Sequence, residues 1–527
     1  MTTTSQVVIV GGGPVGVGLA LDLALRGVTS TIVERRPELS RIPKGQGLSQ
    51  RTMEHMQRWG VAEDLRRARL LPPDHAIGQI TAYGNLMSDF WHASPSRELL
   101  APYYSQANVR LPQYQTEAVL RRRLEDLPGV QMLLGWQATS VEQDRHGVRV
   151  IAERDGVKQE LEGAYVVGCD GGHSLVREQS DIARAGTDFD ELVALVVFRS
   201  RELSQALSRF PDRSTYRVMR PDLEGYWEFF GRVDEDEEFF FHAPVPRGQD
   251  PAKVDFAALM HRAAGLDFAC EIDHVGFWDL RVQVATEYRA GRAFIAGDAA
   301  HTHPPYGGFG LNNGLEDAVN LGWKLAAVLD GWGGEALLDS YSLERQPIFR
   351  DVGEDIIGGW IRDDRAFLEQ HSPEADLPEF ERLFEETTRG FGARLRGFEP
   401  HYDGSPVIAG PPGGVTSAHG THTFVAQAGH HLPPQTLTSG ASVIDSLGPG
   451  FTLLALDADE TEILAFAAAM RRAGVPLTVV RDNVSGGREA YGSPLILVRP
   501  DQFVAWTGVQ APTDDLLRRL AGQDATA

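Results

Sequence analysis

The N-terminal part of the chain alternates a short apolar run with glycine and polar residues, which predicts strand, turn, helix and strand in that order. Residues 7–10 are all apolar, as is typical of a strand buried in a parallel sheet. The pattern then predicts a helix over residues 14–26, with Gly27 after its end, and a second strand over residues 29–33 that ends beside Glu34. This region is therefore predicted to be a Rossmann-like α/β unit.

The middle of the chain has a different pattern. Between residues 185 and 282, Pro, Asp and Gly separate stretches that alternate apolar and polar positions or are rich in aromatic residues: 192–199, 214–219, 226–232, 238–244 and 274–282. Alternation with a period of two indicates strands that bury one face. We therefore predict a mostly antiparallel sheet, inserted into the first domain.

Downstream of residue 282 the pattern returns to α/β. It predicts an apolar strand over 293–298, a long helix over 313–329, further helices to about residue 395, and a Gly/Pro-rich linker at 404–414. Three more strands (451–456, 477–481 and 495–499) and a helix (460–473) follow. We predict four segments: 1–184 and 283–400 form one cofactor domain, 185–282 form the inserted sheet, and 401–527 form a C-terminal α/β domain.

The first strand leads directly into a glycine fingerprint, Gly11-x-Gly13-Pro14-Val15-Gly16. Gly11 allows a tight turn, Gly13 lets the backbone approach a pyrophosphate, and Gly16 lets the helix pack closely on the strand. A carboxylate at Glu34 would bind ribose hydroxyls, which favours FAD or NAD over NADP. The alternative is an ordinary glycine-rich turn in an α/β sheet.

A second segment complements the first from almost three hundred residues away. Gly297 and Asp298 follow the apolar strand that starts at Ala293, so a carboxylate stands where the ribityl chain of a flavin could use it. The two segments together predict FAD as the cofactor and a redox enzyme as the class of protein.

Composition narrows the class further. The 527 residues carry 50 Lys and Arg against 73 Asp and Glu, a formal net charge of -23, which weighs against nucleic acid and anionic membranes as partners. The two cysteines, Cys169 and Cys270, cannot form a disulfide framework, which favours a reducing cytoplasm. No apolar run approaches a membrane span, and the chain enters a strand too early for a signal peptide.

With these motifs in order, the chain resembles the FAD-dependent aromatic hydroxylases, the single-component class A flavoprotein monooxygenases. Within that family it is most similar to the phenol hydroxylase branch with a C-terminal thioredoxin-like domain. The resemblance covers essentially the whole chain and is most specific at residues 11–16 with Glu34, at residues 169–177 (the DG motif) and at residues 297–314 (the GD motif). It implies a Rossmann-like FAD-binding domain, an inserted sheet that binds the substrate, and a thioredoxin-like unit at 401–527.

The resemblance also implies roles for individual residues near the cofactor. Asp298 would bind the ribityl hydroxyls, and Gln113 would contact the flavin. Asp170 of the DG motif would serve both FAD and NAD(P)H, although it alternatively caps a turn; Gln113 is alternatively an ordinary residue at a helix start. The bed of the isoalloxazine ring would be Pro305, Gly308, Gly310, Leu311 and Asn312, and the basic residues near the phosphates would be Arg35, Arg41 and Lys44.

The implied activity is aromatic hydroxylation. NAD(P)H would reduce FAD, and O2 would form a flavin C4a-hydroperoxide that transfers one oxygen atom to a phenolic or polyketide-type ring. Simple phenol hydroxylases place an aspartate in the loop before the helix at Arg51, whereas this chain has Lys-Gly-Gln-Gly-Leu at 44–48. The missing acid favours a larger or already activated substrate, such as a polyketide phenol or a catechol. Tyr216, Tyr226 and His242 are candidate bases, and each is alternatively structural.

Several points stay open at this level. An FAD-dependent oxidoreductase of the same fold that inserts no oxygen is the alternative function, and a non-catalytic FAD-binding protein is a third. The substrate, and NADH against NADPH, cannot be read from the sequence. We expect no metal, because the His301-x-His303 pair lacks a third ligand. The C-terminal unit has no Cys-x-x-Cys, so it would be structural and could support a homodimer.

Overall fold

The computed structural model describes residues 2–73, 75–94, 97–246 and 248–523. The strands within these residues, in chain order, are β1 (Thr2–Thr4), β2 (Val7–Val10), β3 (Ser30–Glu34), β4 (Gly47–Leu48), β5 (Gln79–Tyr83), β6 (Trp91–Ala93), β7 (Val109–Arg110), β8 (Val130–Leu134), β9 (Gln137–Gln143), β10 (Val148–Arg154), β11 (Val157–Gly163), β12 (Tyr165–Gly168), β13 (Arg184–Arg199), β14 (Thr215–Met219), β15 (Glu228–Arg232), β16 (Glu238–Pro244), β17 (Glu271–Ala285), β18 (Arg289–Ala290), β19 (Ala293–Ile295), β20 (His301–Thr302), β21 (Phe398–Tyr402), β22 (Thr416–His419), β23 (Phe451–Leu456), β24 (Leu477–Asp482), β25 (Leu495–Val498) and β26 (Val504–Gly508).

The α-helices of the same residues are α1 (Pro14–Ala24), α2 (Gln50–Arg58), α3 (Ala62–Arg67), α4 (Gln113–Glu125), α5 (Leu175–Gln179), α6 (Arg201–Ala206), α7 (Phe256–Ala264), α8 (Phe309–Leu329), α9 (Glu335–Asp351), α10 (Gly358–Gln370), α11 (Leu377–Gly397), α12 (Glu460–Arg472) and α13 (Asp514–Leu520). A π-helix, Val352–Ile357, joins α9 to α10. In the described part of the chain, no helix combines the length and the apolar character needed to cross a membrane.

A six-stranded sheet in the order β18-β19-β12-β2-β3-β8 forms the centre of the N-terminal part. All its neighbours are parallel except β18 and β19. The carboxyl ends of β2, β3, β12 and β19 therefore meet at one edge, which is where open α/β sheets bind ligands. The predicted motifs follow these strands directly, so the topology brings them together.

The eight-stranded sheet has the order β20-β17-β13-β16-β15-β14-β5-β6, and all its neighbours are antiparallel except β14 and β5. Alternate residues of β13 enter two different cores. Val193, Leu195 and Val197 face the core that contains Tyr306 and Phe309 of the GD motif; we call this the inner face. The opposite side, the outer face, packs against α6 and α7.

The structure corrects several predicted limits. The sheet includes β5 and β6 from residues 79–93, for which we predicted no strand, and β15 begins at Glu228 rather than at residue 226. Helix α8 begins at Phe309 and not at residue 313, because Gly308 with φ of +68° starts the helix as its N-cap. The last residues form a sheet in the order β24-β23-β25-β26 with a β-α-β-β-β-α sequence of elements, in which the first two strands are parallel.

Candidate active site

The glycine turn after β2 combines close packing with one open position. Gly11 has φ of +108°, and a Cβ there would lie 2.2 Å from the carbonyl oxygen of Cys169. A Cβ at Gly16 would lie 2.0 Å from the carbonyl oxygen of Gly11. A Cβ at Gly13 would meet no atom within 4 Å. The turn therefore leaves room for a phosphate at the N-terminus of α1, where helix N–H groups favour anions.

The GD segment packs directly on this helix N-terminus. Gly297 has φ of +60°, and a Cβ there would lie 3.0 Å from Val15 Cγ2. A Cβ at Gly314 in α8 would lie 2.7 Å from the same methyl group. Val15, the second residue of α1, thus lies beside the segment that carries Asp298, although the sequence separates them by almost three hundred residues.

Glu34 closes the other side of the glycine turn. Its Oε2 accepts a hydrogen bond of 2.7 Å from the N–H of Gly12, and its Oε1 accepts one of 2.8 Å from the N–H of Arg36. Arg121 on α4 donates from Nη2 to the carbonyl oxygen of Gly12 at 2.7 Å. The predicted acid is therefore held at the turn, and Arg121 brings a cation beside it.

Arg121 was absent from our predicted site, although a signal existed in the sequence. Gln113, Glu117 and Arg121 are spaced by four residues, which places them on one face of a helix. Gln113 donates from Nε2 to Glu117 Oε1 at 2.8 Å, and a Cβ at Gly45 would lie 3.2 Å from Gln113 Oε1. One face of α4 thus lines the space between the glycine turn and the loop at residues 41–48, which we call the cofactor cleft.

Lys44 and Asp298 belong to the same cleft and interact electrostatically. Burial raises the pKa of Asp298, and its electrostatic interactions with His301 and Lys44 oppose that rise. Burial and the neighbouring Arg36 lower the pKa of Lys44, against the attraction of Asp298. Both side chains stay accessible to water. The cleft therefore holds a carboxylate and an ammonium group that a ligand with hydroxyls and phosphates can reach. Two further predicted basic residues, Arg35 and Arg41, are exposed at its border.

The N-terminus of α8 forms the floor of the cleft. Gly310 and Leu311 lie in the first helical turn, where backbone N–H groups have no acceptor within the helix. Gly308 has φ of +68° and open space where a Cβ would stand. Pro305, partly buried, precedes this turn. The helix therefore presents backbone donors and its positive dipole end at the position predicted for the flavin ring.

Asn312 fixes this helix to the loop opposite. Its Oδ1 accepts from the N–H of Ser49 at 2.8 Å and from Thr52 Oγ1 at 2.6 Å. Its Nδ2 donates to the carbonyl oxygens of Gly47 at 2.9 Å and Gly308 at 2.7 Å. The Asn312 side chain thus ties the loop to the helix, which is a positioning role that we did not predict.

A buried ionic network supports the GD segment from behind. Asp317 Oδ2 accepts from the N–H of Gly297 at 3.0 Å and lies 2.6 Å from His301 Nε2, while Arg345 Nε donates to Asp317 Oδ1 at 2.7 Å. Burial raises the pKa of Asp317, but His301 and Arg345 outweigh it, so the net pKa is lowered. His301 is thus a hydrogen-bond partner of Asp317, and Asp317 and Arg345 are supporting residues that we did not predict.

Asp170 takes the turn-capping arrangement. Its Oδ2 accepts from the N–H groups of Leu175 at 2.7 Å and Val176 at 3.3 Å, at the start of α5. Its Oδ1 is buried and has no hydrogen-bond partner among the described residues. Arg177 Nη1 donates to the carbonyl oxygens of Gly172 and Ala299, both at 3.1 Å, and so joins the DG and GD segments.

The three candidate bases do not meet at one place. Tyr216 lies in the outer-face core and accepts from Arg232 Nε at 3.1 Å. Tyr226 lies in the inner-face core just before β15. His242 packs among aromatic rings of the inner face, with its ring centroid 4.8 Å from that of Phe229. The structure therefore places His242 and Tyr226 on the cofactor side of the sheet and Tyr216 on the opposite side.

Comparisons with known proteins agree with this geometry. Residues 4–355 match the family described as "FAD binding domain", and residues 426–523 match "Aromatic-ring hydroxylase, C-terminal". The chain is 31% identical to rifampicin monooxygenase of Streptomyces venezuelae and 32% identical to a 12-dehydrotetracycline 5-monooxygenase/anhydrotetracycline 6-monooxygenase of Streptomyces rimosus, over 98% of each chain in both cases.

Solved structures match over nearly the full length as well. A ternary complex of aklavinone-11 hydroxylase with FAD and aklavinone has a TM-score of 0.81 at 26% identity, over 98% of this chain and 99% of that chain. The rebeccamycin biosynthetic enzyme RebC with reduced flavin has a TM-score of 0.85 at 27% identity, over 99% and 100%.

The chain therefore belongs to the FAD-dependent aromatic hydroxylases, the class A flavoprotein monooxygenases. It is a monooxygenase that uses FAD as cofactor and NAD(P)H and O2 as cosubstrates to hydroxylate an aromatic substrate. The comparisons favour this function over the alternative of a flavin oxidoreductase that inserts no oxygen.

Proposed function

We propose that this monooxygenase acts on a multi-ring, polyketide-type aromatic that enters the site already activated. The observation that carries the proposal is a set of three buried side chains, Gln46, Arg110 and His242, each with a polar atom that has no hydrogen-bond partner among the described residues. A buried polar group without a partner costs about 1–3 kcal/mol, so such groups in a native site call for a ligand.

Gln46 stands in the loop where an acid is missing. It is only 6% exposed, and both its Oε1 and its Nε2 are unpartnered within the described residues. Its carbonyl oxygen accepts from the N–H of Leu111 at 2.9 Å, which places it at the start of the β4–β7 ribbon, next to Arg110. An amide orients a hydroxyl or carbonyl oxygen but takes up no proton at neutral pH. The substrate ring must therefore bring its own activation.

His242 and Arg110 both lie beside aromatic rings of the inner face. Arg110 lies over the ring of Phe240, with its guanidinium carbon 6.0 Å from the centroid, and the His242 ring lies 5.2 Å from the same ring. Burial lowers the pKa of His242 to about 3. The imidazole is therefore neutral at pH 7 and serves as a hydrogen-bonding group, and it is a poor general base. A planar ligand with oxygen substituents suits this combination of aromatic walls, a neutral imidazole and a guanidinium donor.

A partly open cavity reaches the floor of the cofactor cleft at Gly308 and Asn312. Tyr103, Tyr104 and Phe398 are among its walls. The relatives named for rifampicin and anhydrotetracycline also point to multi-ring substrates.

We also propose which residues hold FAD. The open position at Gly13, the hydrogen-bonded Glu34 and the exposed donors of α8 fit an elongated dinucleotide with a ring at one end. When bound, FAD would accept electrons from NAD(P)H and activate O2. The protein would bind the cofactor, orient it and set the polarity of the site. The proposed set is Gly11, Gly13, Pro14, Val15, Gly16, Glu34, Arg35, Arg41, Lys44, Gln113, Asp170, Gly297, Asp298, Pro305, Gly308, Gly310, Leu311 and Asn312, with Arg121 added.

The C-terminal residues are proposed to form a thioredoxin-like unit with a structural role. The β-α-β-β-β-α order supports this fold, and both cysteines of the chain lie outside the unit. A homodimer and a cytoplasmic location remain predictions. Sedimentation of the FAD-loaded protein at micromolar concentration tests the dimer, since a monomer mass there would contradict it.

The test of the substrate class is product mass spectrometry with ¹⁸O2. The yellow, FAD-loaded protein receives NADPH or NADH together with a panel of single-ring phenols, catechols and multi-ring polyketide-type aromatics. We expect one labelled oxygen atom in a multi-ring product, with turnover of single-ring phenols at least tenfold slower. Efficient labelling of simple phenols would contradict the proposal. Release of hydrogen peroxide alone across the multi-ring panel would also count against it.

A further inference from the structure

Three potential ligand atoms converge at the end of β21. They are His401 Nδ1, Asp403 Oδ1 and His430 Nε2, and all lie within 4.8 Å of one another. Asp403 Oδ1 is 3.4 Å from His401 Nδ1 and 3.3 Å from His430 Nε2. The three side chains are 11%, 12% and 11% exposed, respectively. We call these three residues the linker cluster.

None of the three atoms makes a hydrogen bond within the described part of the chain. Asp403 Oδ1 lies within ion-pairing distance of both ring nitrogens, and the two imidazole rings are nearly parallel, with centroids 4.7 Å apart at an angle of 4°. The carboxylate and the two ring nitrogens thus share one mostly buried space, in which a common partner can bind.

We propose that the linker cluster binds a divalent transition metal ion, with Zn²⁺ as the best fit. Zn²⁺ takes nitrogen and oxygen ligands at about 2.0–2.2 Å in tetrahedral geometry, which separates ligand atoms by about 3.3–3.4 Å. The two separations measured to Asp403 Oδ1 match this value. Two histidines and one carboxylate also form a recurring ligand set for Zn²⁺, with water in the fourth position.

The surroundings of the cluster are those of metal ligands. Histidine ligands generally use their second ring nitrogen to bind a carboxylate or a backbone carbonyl. His430 Nδ1 lies 2.9 and 3.1 Å from the two carboxylate oxygens of Glu399. His401 Nε2 lies 3.0 Å from the carbonyl oxygen of His419. Both imidazoles are thereby oriented with the free nitrogen toward Asp403.

The site also has a structural use. His401 and Asp403 end the strand β21, whereas His430 belongs to the loop that leads to the C-terminal sheet. Gly429, with φ of +96°, lets that loop approach, since a Cβ there would lie 2.3 Å from Asp403 Oδ1. The ion would cross-link the two segments. This proposal departs from our expectation that the chain holds no metal.

The test measures zinc content in the FAD-loaded protein after chelation, reloading with ZnCl2 and dialysis. We expect about one zinc per wild-type chain and none in Asp403→Asn, which keeps the shape of the side chain. Glu399→Gln removes only the carboxylate behind His430 and should weaken zinc binding by about 10–100-fold. His146→Ala, an exposed histidine far from the cluster in sequence, is the matched control and should retain the wild-type zinc content.

Two further measurements keep the test decisive if Asp403→Asn fails to fold. Zinc X-ray absorption of the wild-type protein should show nitrogen and oxygen ligands at about 2.0–2.2 Å and no sulfur. Removal of zinc should lower the melting temperature of the wild-type protein while its flavin content stays unchanged. Equal zinc content in wild type and Asp403→Asn would overturn the proposal, as would a wild-type protein that retains no zinc.

Discussion

The cofactor cleft and the inner face of the large sheet differ in how many hydrogen-bond partners the protein gives to selected polar groups. In the cleft, Glu34, Asn312 and Asp317 each have two or more partners within the protein. On the side of the inner face, Gln46 and His242 are buried with polar atoms that the described residues leave unpaired. The comparison indicates that the protein itself orients Glu34, Asn312 and Asp317, whereas Gln46 and His242 depend on the substrate for partners.

The largest expected effect on stability comes from removing a buried charge behind the cofactor cleft. Asp317→Asn removes the charge that Arg345 and His301 share in the interior. Because a buried cation then loses its partner, we expect a loss of about 3–5 kcal/mol in the free energy of unfolding. Denaturant unfolding measures it. The control is Asp279→Asn, an exposed partner of Arg281, which should cost less than about 1 kcal/mol. Equal effects of the two changes would contradict the buried network.

The second prediction separates packing from cofactor binding within the glycine turn. Gly11→Ala puts a side chain on a residue with φ of +108° and against Cys169, so we expect at least about 1–3 kcal/mol of destabilisation together with loss of flavin. Gly13→Ala meets no protein atom, so the protein should fold normally but bind FAD weakly. Flavin absorbance and thermal melting of both variants test this. Full flavin content in Gly13→Ala would show that no phosphate occupies the open position.

The third prediction concerns the substrate side. Gln46→Ala removes two unpartnered amide atoms, so stability should stay the same or rise slightly, while kcat/KM for the true substrate falls about tenfold, or about 1.4 kcal/mol. Gln113→Ala, in the cofactor cleft, should instead lower flavin content. Steady-state kinetics and flavin titration distinguish the two. Loss of flavin in Gln46→Ala would place that residue with the cofactor.

The last prediction is a pH dependence. Burial lowers the pKa of His242 to about 3, against an ordinary value of 6.5. Below pH 6.5 the unfolded chain therefore takes up a proton that the folded chain refuses, so His242 makes stability fall as the pH falls from about 6.5 toward 3. His242→Phe should flatten this dependence by at most about 1.4 kcal/mol per pH unit. Denaturant unfolding of both proteins at pH 7, 6 and 5 measures the difference. Parallel curves would mean that His242 is not buried as described.

Much of the local structure could be predicted because it depends on neighbouring residues. The apolar run before Gly11 became β2, and the predicted strand at residues 451–456 became β23 with the same limits. The predicted limits were wrong where a distant contact or a backbone conformation that the pattern does not show determines them. Strand β5 exists because it pairs with β14, more than 130 residues away, and α8 starts early because Gly308 adopts a left-handed conformation.

In the candidate site too, some features depend on neighbouring residues and others on distant contacts. The sequence alone determined the class of cofactor, since the order of glycines and acids after apolar strands implies a dinucleotide at a sheet edge. Only the tertiary structure decided that Tyr216 faces away from the cofactor, that Arg121 and Asp317 support the cleft, and that His401, Asp403 and His430 converge. The physical reason is that motif residues act within one turn of backbone, whereas burial, pairing and the face of a sheet depend on segments that the chain order leaves far apart.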